Sequence, residues 1–174
     1  MQQPIMKMIR RMLKNGELVQ VQVRGIDGDY FAFPSSEPQN SSTSPGASIL
    51  SPFDNAVIRR ERLLKLFNYD YAIECYLPEG KRRFGYFCLP VLHNGKFVGR
   101  FDPKADREKK IFIVKRLYIE HEPESADEFV STFGRTLKQF AQFNDCQQIV
   151  VEQTKPAKIK SALMAELKES EMLR

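Results

Sequence analysis

The sequence predicts an α+β protein built in two parts that are joined by a linker. Residues 1–34 combine one helical pattern with two strand-like segments, and residues 49–174 hold a run of β-rich segments followed by helical patterns. Between them, residues 35–48 are rich in Ser, Pro and Asn and poor in apolar residues. Such a segment cannot bury enough surface to fold. We therefore expect a domain at 1–34, a flexible linker at 35–48 and a domain at 49–174.

The first part begins with an amphipathic pattern in which apolar residues recur at helical spacing over residues 5–13, before a C-cap signal at Asn15-Gly16. Residues 19–23 then alternate Val with Gln, which is typical of a half-buried strand. Asp27-Gly28 predicts a tight hairpin turn. A helix followed by a two-stranded ribbon is the back half of a winged helix-turn-helix. Residues 1–34 are too few for the whole motif, so we expect a partial winged helix.

The second part opens with a predicted helix that has Asp54 as its N-cap and Val57, Leu63, Leu64 and Phe67 facing inward. Four segments rich in β-branched and aromatic residues follow, joined by short turns. They occupy residues 71–77, 83–92, 96–102 and 110–120. The pattern favours a curled antiparallel sheet, barrel-like and partly closed, with helices at its flanks.

Helical and strand patterns complete this domain. A capping box at Ser125 and Glu128 begins a helix whose apolar stripe, from Phe129 to Phe140, covers one face of the sheet. A last strand is predicted at 147–153 and a last helix at 155–170.

Composition limits the classes of function that the sequence can have. The 174 residues carry a net charge of +5 and a pI near 9.1, which favours acidic partners such as nucleic acid. No apolar run approaches the roughly 18 residues of a spanning helix, and the Met-rich start is interrupted by cations. We expect a monomeric, cytoplasmic protein without membrane contact. Cys75, Cys88 and Cys146 have no metal-site spacing, so we interpret them as reduced core thiols and expect neither metal nor other cofactor.

Positive charge is concentrated in the β-rich region. Residues 79–116 contain eleven basic and four acidic side chains, whereas residues 117–145 contain two basic and six acidic ones. The predicted meander is therefore the electropositive side.

Two clusters in this region have alternative interpretations. Lys81-Arg82-Arg83 follows a turn, from which long cationic side chains reach phosphate oxygens, but the same charges also protect a sheet edge from aggregation. The segment 99–107 alternates cations with Asp102 and Asp106, as in an ion-pair network or a binding surface. The two carboxylates could also serve acid-base chemistry, although their basic neighbours favour ordinary ionised partners.

Gln20 and Gln22 have two interpretations: they are a reactive pair, or they form only the polar face of a strand. The strict alternation of Val and Gln favours the strand. The sequence has no GxSxG, Walker glycine loop, GxGxxG or HExxH motif.

The order of motifs in residues 49–107 strongly resembles the carboxy-terminal region of the AlkZ/YcaQ-type winged-helix DNA glycosylases. The resemblance is carried by a "SPFD" turn at 51–54, "LFNYDY" at 66–71, "KRRFGYFCLPVL" at 81–92 and "GRFDPKADR" at 99–107. Asn68 stands where the family usually has Gly. Residues 16–33 are more weakly similar to the last winged helix of the family.

The resemblance implies tandem winged helices before a β-rich domain, and excision of alkylated bases, including some interstrand crosslinks. The family's catalytic glutamine motif lies in a "LQxDxIN"-like context that is absent from this sequence. Gln20-Val21-Gln22 has a similar residue pattern, but it lies in the predicted two-stranded ribbon.

We therefore expect no catalytic residue and a DNA-binding carboxy-terminal part of a glycosylase, inactive alone, with double-stranded DNA as its partner. The alternatives are a non-enzymatic winged-helix regulator and a structural domain whose cations serve solubility. The candidate DNA-binding residues are Lys7, Arg10, Arg11, Arg24, Lys81, Arg82, Arg83, Arg100, Lys104 and Arg107.

Overall fold

The computed structural model describes residues 2–34 and 46–169. The chain divides into two compact units, with the boundary between residues 42 and 43. Most of the predicted linker, residues 35–45, lies outside the described residues. Its last part does not behave as a linker, because Ala47 and Ser48 belong to a strand of the second unit.

The first unit holds one helix and one antiparallel hairpin. Helix α1 spans Gln2–Lys14, and strands β1, Val19–Val23, and β2, Ile26–Ala32, pair with each other. The predicted C-cap is confirmed, since Gly16 adopts a φ of 72° and the backbone N–H of Glu17 donates to Met12.

The hairpin turn was predicted at the wrong dipeptide. Val23 pairs with Ile26, so the turn consists of Arg24 and Gly25, and Gly25 takes the positive φ of 76° that such a turn requires. Gly28 lies inside β2. Arg24-Gly25 and Asp27-Gly28 each supply a glycine for a tight turn, and only the cross-strand register shows which of them forms it. The assignment of this unit as a partial winged helix stays a prediction.

The second unit is an open five-stranded sheet with helices, which confirms the α+β class but not the barrel-like closure. Its strand order is β3-β4-β5-β6-β7. The strands are β3 Ala47–Ile49, β4 Leu89–His93, β5 Lys96–Asp106, β6 Ile111–Ile119 and β7 Gln148–Lys155. The helices are α2 Arg60–Phe67, α3 Ala126–Phe143 and α4 Lys158–Glu169, and a short 3-10 turn spans Glu79–Lys81.

The sheet is mixed, whereas the sequence predicted a wholly antiparallel one. Strands β3 to β6 pair antiparallel, but β6 and β7 pair in parallel, with Ile111 opposite Gln148. The 18-residue helix α3 lies between these two strands in the chain and is long enough to return it to the same end of the sheet. The Ser125 hydroxyl accepts the N–H of Glu128 at 3.2 Å, which confirms the predicted N-cap.

Helices α3 and α4 cover one face of the sheet. Phe129, Phe133 and Leu137 of α3 are fully buried, and Phe133 meets Phe101 of β5 edge-on, with 5.8 Å between ring centroids. Leu163 of α4 is also fully buried in this core.

The opposite face is covered by the chain that connects α2 to β4. Tyr69 stacks on Phe97 of β5 at 4.9 Å, and Tyr69, Tyr71, Val57 and Leu63 form a second core. Residues 71–77, predicted as a strand, have no regular structure there. Tyr71 packs over the sheet, whereas Tyr76 and Leu77 are exposed.

Helix α2 is shorter than predicted and begins at Arg60. Asp54 caps a preceding turn instead, through its side chain and the N–H of Ala56 at 2.8 Å. Of the predicted inward residues, Leu64 and Phe67 are exposed.

Candidate nucleic-acid interface

The most basic predicted motif forms an irregular loop directly before β4. This basic loop, residues 81–87, begins at the last residue of the 3-10 turn and ends two residues before Leu89. The side chains of Lys81 and Arg83 are exposed, and that of Arg82 is partly exposed. The loop thus presents three consecutive cations to solvent.

A single carboxylate holds the start of the basic loop. Glu74 accepts the consecutive backbone N–H groups of Arg83 at 3.1 Å, Phe84 at 2.8 Å and Gly85 at 3.2 Å. Burial opposes ionisation of Glu74, but these donors and the charge of Arg100 outweigh it, so the pKa of Glu74 lies below its ordinary value. The carboxylate is ionised at neutral pH and fixes the loop backbone.

A second carboxylate holds the end of the loop. Asp102 of β5 is buried and accepts the N–H groups of Tyr86 at 3.0 Å and Phe87 at 3.2 Å. Gly85 has a φ of 158°, and a Cβ atom there would overlap the Asp102 carboxylate. Asp102 was expected to pair with a neighbouring cation, but it accepts its hydrogen bonds from backbone amides instead. Asp106 does lie near Lys109, with Oδ2 4.0 Å from Nζ.

Arg100 was predicted to contact DNA, but its side chain is buried and does not belong to the exposed basic surface. Its side chain is 2% exposed and makes two bonds to Glu120, from Nε at 2.7 Å and from Nη2 at 2.9 Å. It also donates to the backbone carbonyl of Asp70. The guanidinium lies 4.0 Å from the centroid of the Phe84 ring. Arg100 therefore supports the basic loop through its contact with the Phe84 ring.

Tyr69 and Tyr71 complete the surroundings of Arg100. The Tyr69 hydroxyl donates to the carbonyl of Gly99 at 2.9 Å, and that of Tyr71 donates to Cys88 at 2.6 Å. Burial raises the pKa of Tyr71 to about 12. Both phenols remain neutral at physiological pH and act as hydrogen-bond donors in the second core.

Two cations of the basic loop lie next to aromatic rings of the same loop. The guanidinium of Arg82 lies 4.9 Å from the centroid of Tyr86, and that of Arg83 lies 4.7 Å from the centroid of Phe84. Nε of Arg82 also donates to the carbonyl of Leu77 at 2.9 Å. Beside Arg83 opens a polar cleft of about 570 Å³, whose walls include Tyr118, Glu120 and Lys155.

The other predicted cations lie elsewhere. In the second unit, Lys104 and Arg107 are exposed near the turn between β5 and β6, where Arg107 contacts the side chain of Asn144 at 3.5 Å. In the first unit, three of the predicted cations are exposed on α1 and a fourth is exposed in the hairpin turn. These four are Lys7, Arg10, Arg11 and Arg24.

Gln20 and Gln22 are exposed strand residues, as the alternation predicts. The Nε2 atom of Gln20 donates to Oδ1 of Asp29 on the paired strand at 3.0 Å. This hydrogen bond links two exposed side chains on the paired strands.

Sequence reasoning missed the residues that organise the loop. Glu74 lies in an apolar segment that was interpreted as a strand, where a lone carboxylate reads as a solvent-facing position. Glu120 directly follows β6 and is one of several acidic residues there, so nothing in the sequence distinguishes it from the others. A signal did exist, because an acidic residue inside an otherwise apolar run needs hydrogen-bond donors when it is covered.

The three cysteines are free thiols, and burial raises the pKa of Cys88 to about 12. In the part of the chain that the structure describes, no three His, Cys, Asp or Glu side chains are grouped as metal ligands. The described helices also include none with the length and apolarity needed to cross a bilayer.

Comparison with known proteins gives the family. A family model described as DNA glycosylase AlkZ-like matches residues 3–143, most of the chain. The chain belongs to the AlkZ-like family of DNA glycosylases. The structure is also similar to that of the Streptomyces sahachiroi DNA glycosylase AlkZ, with a TM-score of 0.50 and 16% identity.

That likeness supports the fold. It covers 88% of this chain but 37% of the AlkZ chain, so the chain spans little more than a third of the solved relative. The matched family region, residues 3–143, includes the basic loop, Glu74, Asp102 and the cations of the first unit.

Proposed function

We propose that this chain is the DNA-binding part of an AlkZ-like DNA glycosylase that acts in the repair of alkylated or crosslinked DNA. The observation that carries the proposal is the basic loop, whose backbone is fixed by Glu74 and Asp102 within the family-matched region. A cationic loop with a fixed backbone can place its charges at phosphate positions without the entropic cost of first ordering itself.

The contacts would be to the DNA backbone. Turn-borne cations position a protein on the duplex but do not read its sequence. The contacting residues are Lys81, Arg82, Arg83, Lys104 and Arg107 in the second unit, with Lys7, Arg10, Arg11 and Arg24 in the first. Arg100 is left out because its charge is used by Glu120.

Base excision is not assigned to this chain alone. Excision requires a pocket for a flipped base and a group that positions or activates water. Near the basic loop, the carboxylates of Glu74, Asp102 and Glu120 all accept hydrogen bonds from the protein itself. We therefore propose a monomeric, cytoplasmic DNA-binding protein that needs further catalytic residues for excision.

The test uses the purified chain with labelled duplexes of unrelated sequence, at several salt concentrations, and a parallel duplex that carries 7-methylguanine. We expect similar affinities for all duplexes, a steep loss of affinity with salt, and no abasic sites after alkaline cleavage, where an active glycosylase serves as the positive control. Absence of binding at low salt would refute the DNA-binding function. Robust excision would refute the need for further residues, and a strong preference for one duplex sequence would favour a regulator.

A further inference from the structure

We propose that Tyr76, beside the basic loop, and Tyr86, within it, form a stacking surface for unpaired DNA bases. This inference rests on the proposed DNA-binding function and adds a second kind of contact to it. It assigns the two rings to nucleotides that have left the duplex, while the cations of the loop bind the phosphates that flank them.

The exposure of these rings carries the argument. Tyr76 is 84% exposed and Tyr86 is 54% exposed, whereas Tyr69 and Tyr71, from the same connecting segment, are almost fully buried. Leu77, which follows Tyr76 in the chain, is 42% exposed. The segment thus buries one pair of aromatic rings in the second core and leaves the other pair in solvent.

Contacts with Arg82 place this apolar surface next to the cations. The guanidinium of Arg82 lies over the Tyr86 ring, and its Nε donates to the carbonyl of Leu77, the residue after Tyr76. Arg82 therefore connects the two ring-bearing segments. Lys81 and Arg83 flank it in the chain and are exposed.

The backbone beneath both rings is fixed. The N–H of Tyr86 donates to Asp102, and the N–H of Leu77 donates to the carbonyl of Glu74 at 2.9 Å. Glu74 in turn holds the basic loop. Aromatic rings on a fixed backbone lose little conformational freedom when they bind, which suits them to stacking.

The chemistry favours unpaired nucleotides over duplex. Every base has a π face that stacks on an aromatic ring, and nearby cations bind the phosphates of the same strand. In a duplex those faces are already stacked on neighbouring bases, so the rings have nothing to contact there. Glycosylase substrates include such nucleotides, because the target base must leave the stack.

The experiment compares single-stranded oligothymidine with duplex DNA by fluorescence anisotropy. The test variant carries Tyr76→Leu and Tyr86→Leu, which keep apolar side chains but remove the π faces. A second variant carries Tyr76→Phe and Tyr86→Phe, which keep the rings. The control is Phe143→Leu, because Phe143 is 84% exposed but lies at the end of α3.

We expect the double Leu variant to lose about 10-fold or more in affinity for the single strand, since stacking on one ring commonly contributes that much. Its duplex affinity should stay within about 2-fold, and the Phe variants and the control should match wild type. The chain has no Trp, so its emission comes from Tyr, and bound oligothymidine should quench it in wild type more than in the Leu variant.

Equal affinities of wild type and the Leu variant for the single strand would overturn the stacking surface, as would equal losses for single strand and duplex. If wild type still binds duplex in a salt-dependent way, the proposed function survives that result. Failure of wild type to bind any DNA would overturn both. Thermal melting checks folding, and the exposure of both rings leads us to expect unchanged melting temperatures.

Discussion

Arg100 shows how a local pattern can mislead at the scale of one residue. It lies among alternating charges in residues 99–107, which resembles a solvated or DNA-binding segment. In the structure, residues 97–102 are all buried, because helices cover one face of β5 and residues 69–88 cover the other. Sequence periodicity detects a strand with one covered face, and a strand covered on both faces gives no such signal.

We expect Arg100→Met to destabilise the second unit strongly. Breaking a buried ion pair costs about 3–5 kcal/mol, and about 2–4 kcal/mol is expected here because the Glu120 side chain is 24% exposed. Urea unfolding measures the difference. Lys104→Met, on an exposed side chain of the same strand, should change the free energy of unfolding by less than about 0.5 kcal/mol. A loss below about 1 kcal/mol for Arg100→Met would contradict the structural role.

Glu74→Gln tests the carboxylate that holds the basic loop. The amide keeps the shape but loses the charge, so we expect a loss of about 1 kcal/mol in unfolding free energy at neutral pH. The native pKa of Glu74 lies below its ordinary value, so its contribution is present above the unfolded pKa. It is lost as the pH falls through the native pKa.

Urea titrations of wild type and Glu74→Gln at pH 7 and at successively lower pH values separate the charge from the shape. The stability difference should shrink as Glu74 of the wild type becomes protonated. Glu79→Gln is the control, because Glu79 is exposed on the neighbouring 3-10 turn. A difference that stays constant down to low pH would show that the charge of Glu74 is not the cause.

At the scale of elements, the sequence predicted those with strong local signals. The Ser125 cap, the stripe of α3 and the last helix are as expected, since each depends on residues within a few positions of one another. The parallel pairing of β7 with β6 depends on where α3 returns the chain, which no local pattern specifies. The segment 71–77 has strand composition, but Tyr71 is buried in the second core and the segment forms no strand, so tertiary packing overrides propensity.

The basic loop is the element whose shape matters most for the site, and Gly85→Ala tests it. A Cβ atom at residue 85 meets Asp102 and imposes a strained φ, so we expect a loss of about 1–3 kcal/mol and weaker DNA binding. Gly80 offers a matched control, because a Cβ atom there has no neighbour within 4 Å. Unfolding free energies and duplex affinities of both variants decide the matter. Equal behaviour of Gly85→Ala and Gly80→Ala would show that the loop backbone is not constrained.

At the scale of the whole molecule, total charge and local contact are separate explanations for DNA binding. The net charge of +5 alone would attract DNA weakly to many surfaces. The excess of cations in residues 79–116 predicts instead that one face dominates. The basic loop lies within the family-matched residues 3–143, but sequence counts could not show that Arg100 is unavailable, since burial follows from the packing of both faces of β5.

Two double variants with the same change in net charge distinguish these explanations. Lys81→Ala with Arg83→Ala removes two exposed cations of the basic loop, and Lys158→Ala with Lys168→Ala removes two exposed cations of α4. Each phosphate contact contributes about 0.9 to the slope of log affinity against log salt concentration. The loop variant should therefore lower that slope by about 1.8 for every duplex. The α4 variant should leave the slope unchanged. Anisotropy titrations at four or more salt concentrations measure it, and equal slopes for the two variants would show that net charge, not the basic loop, governs binding.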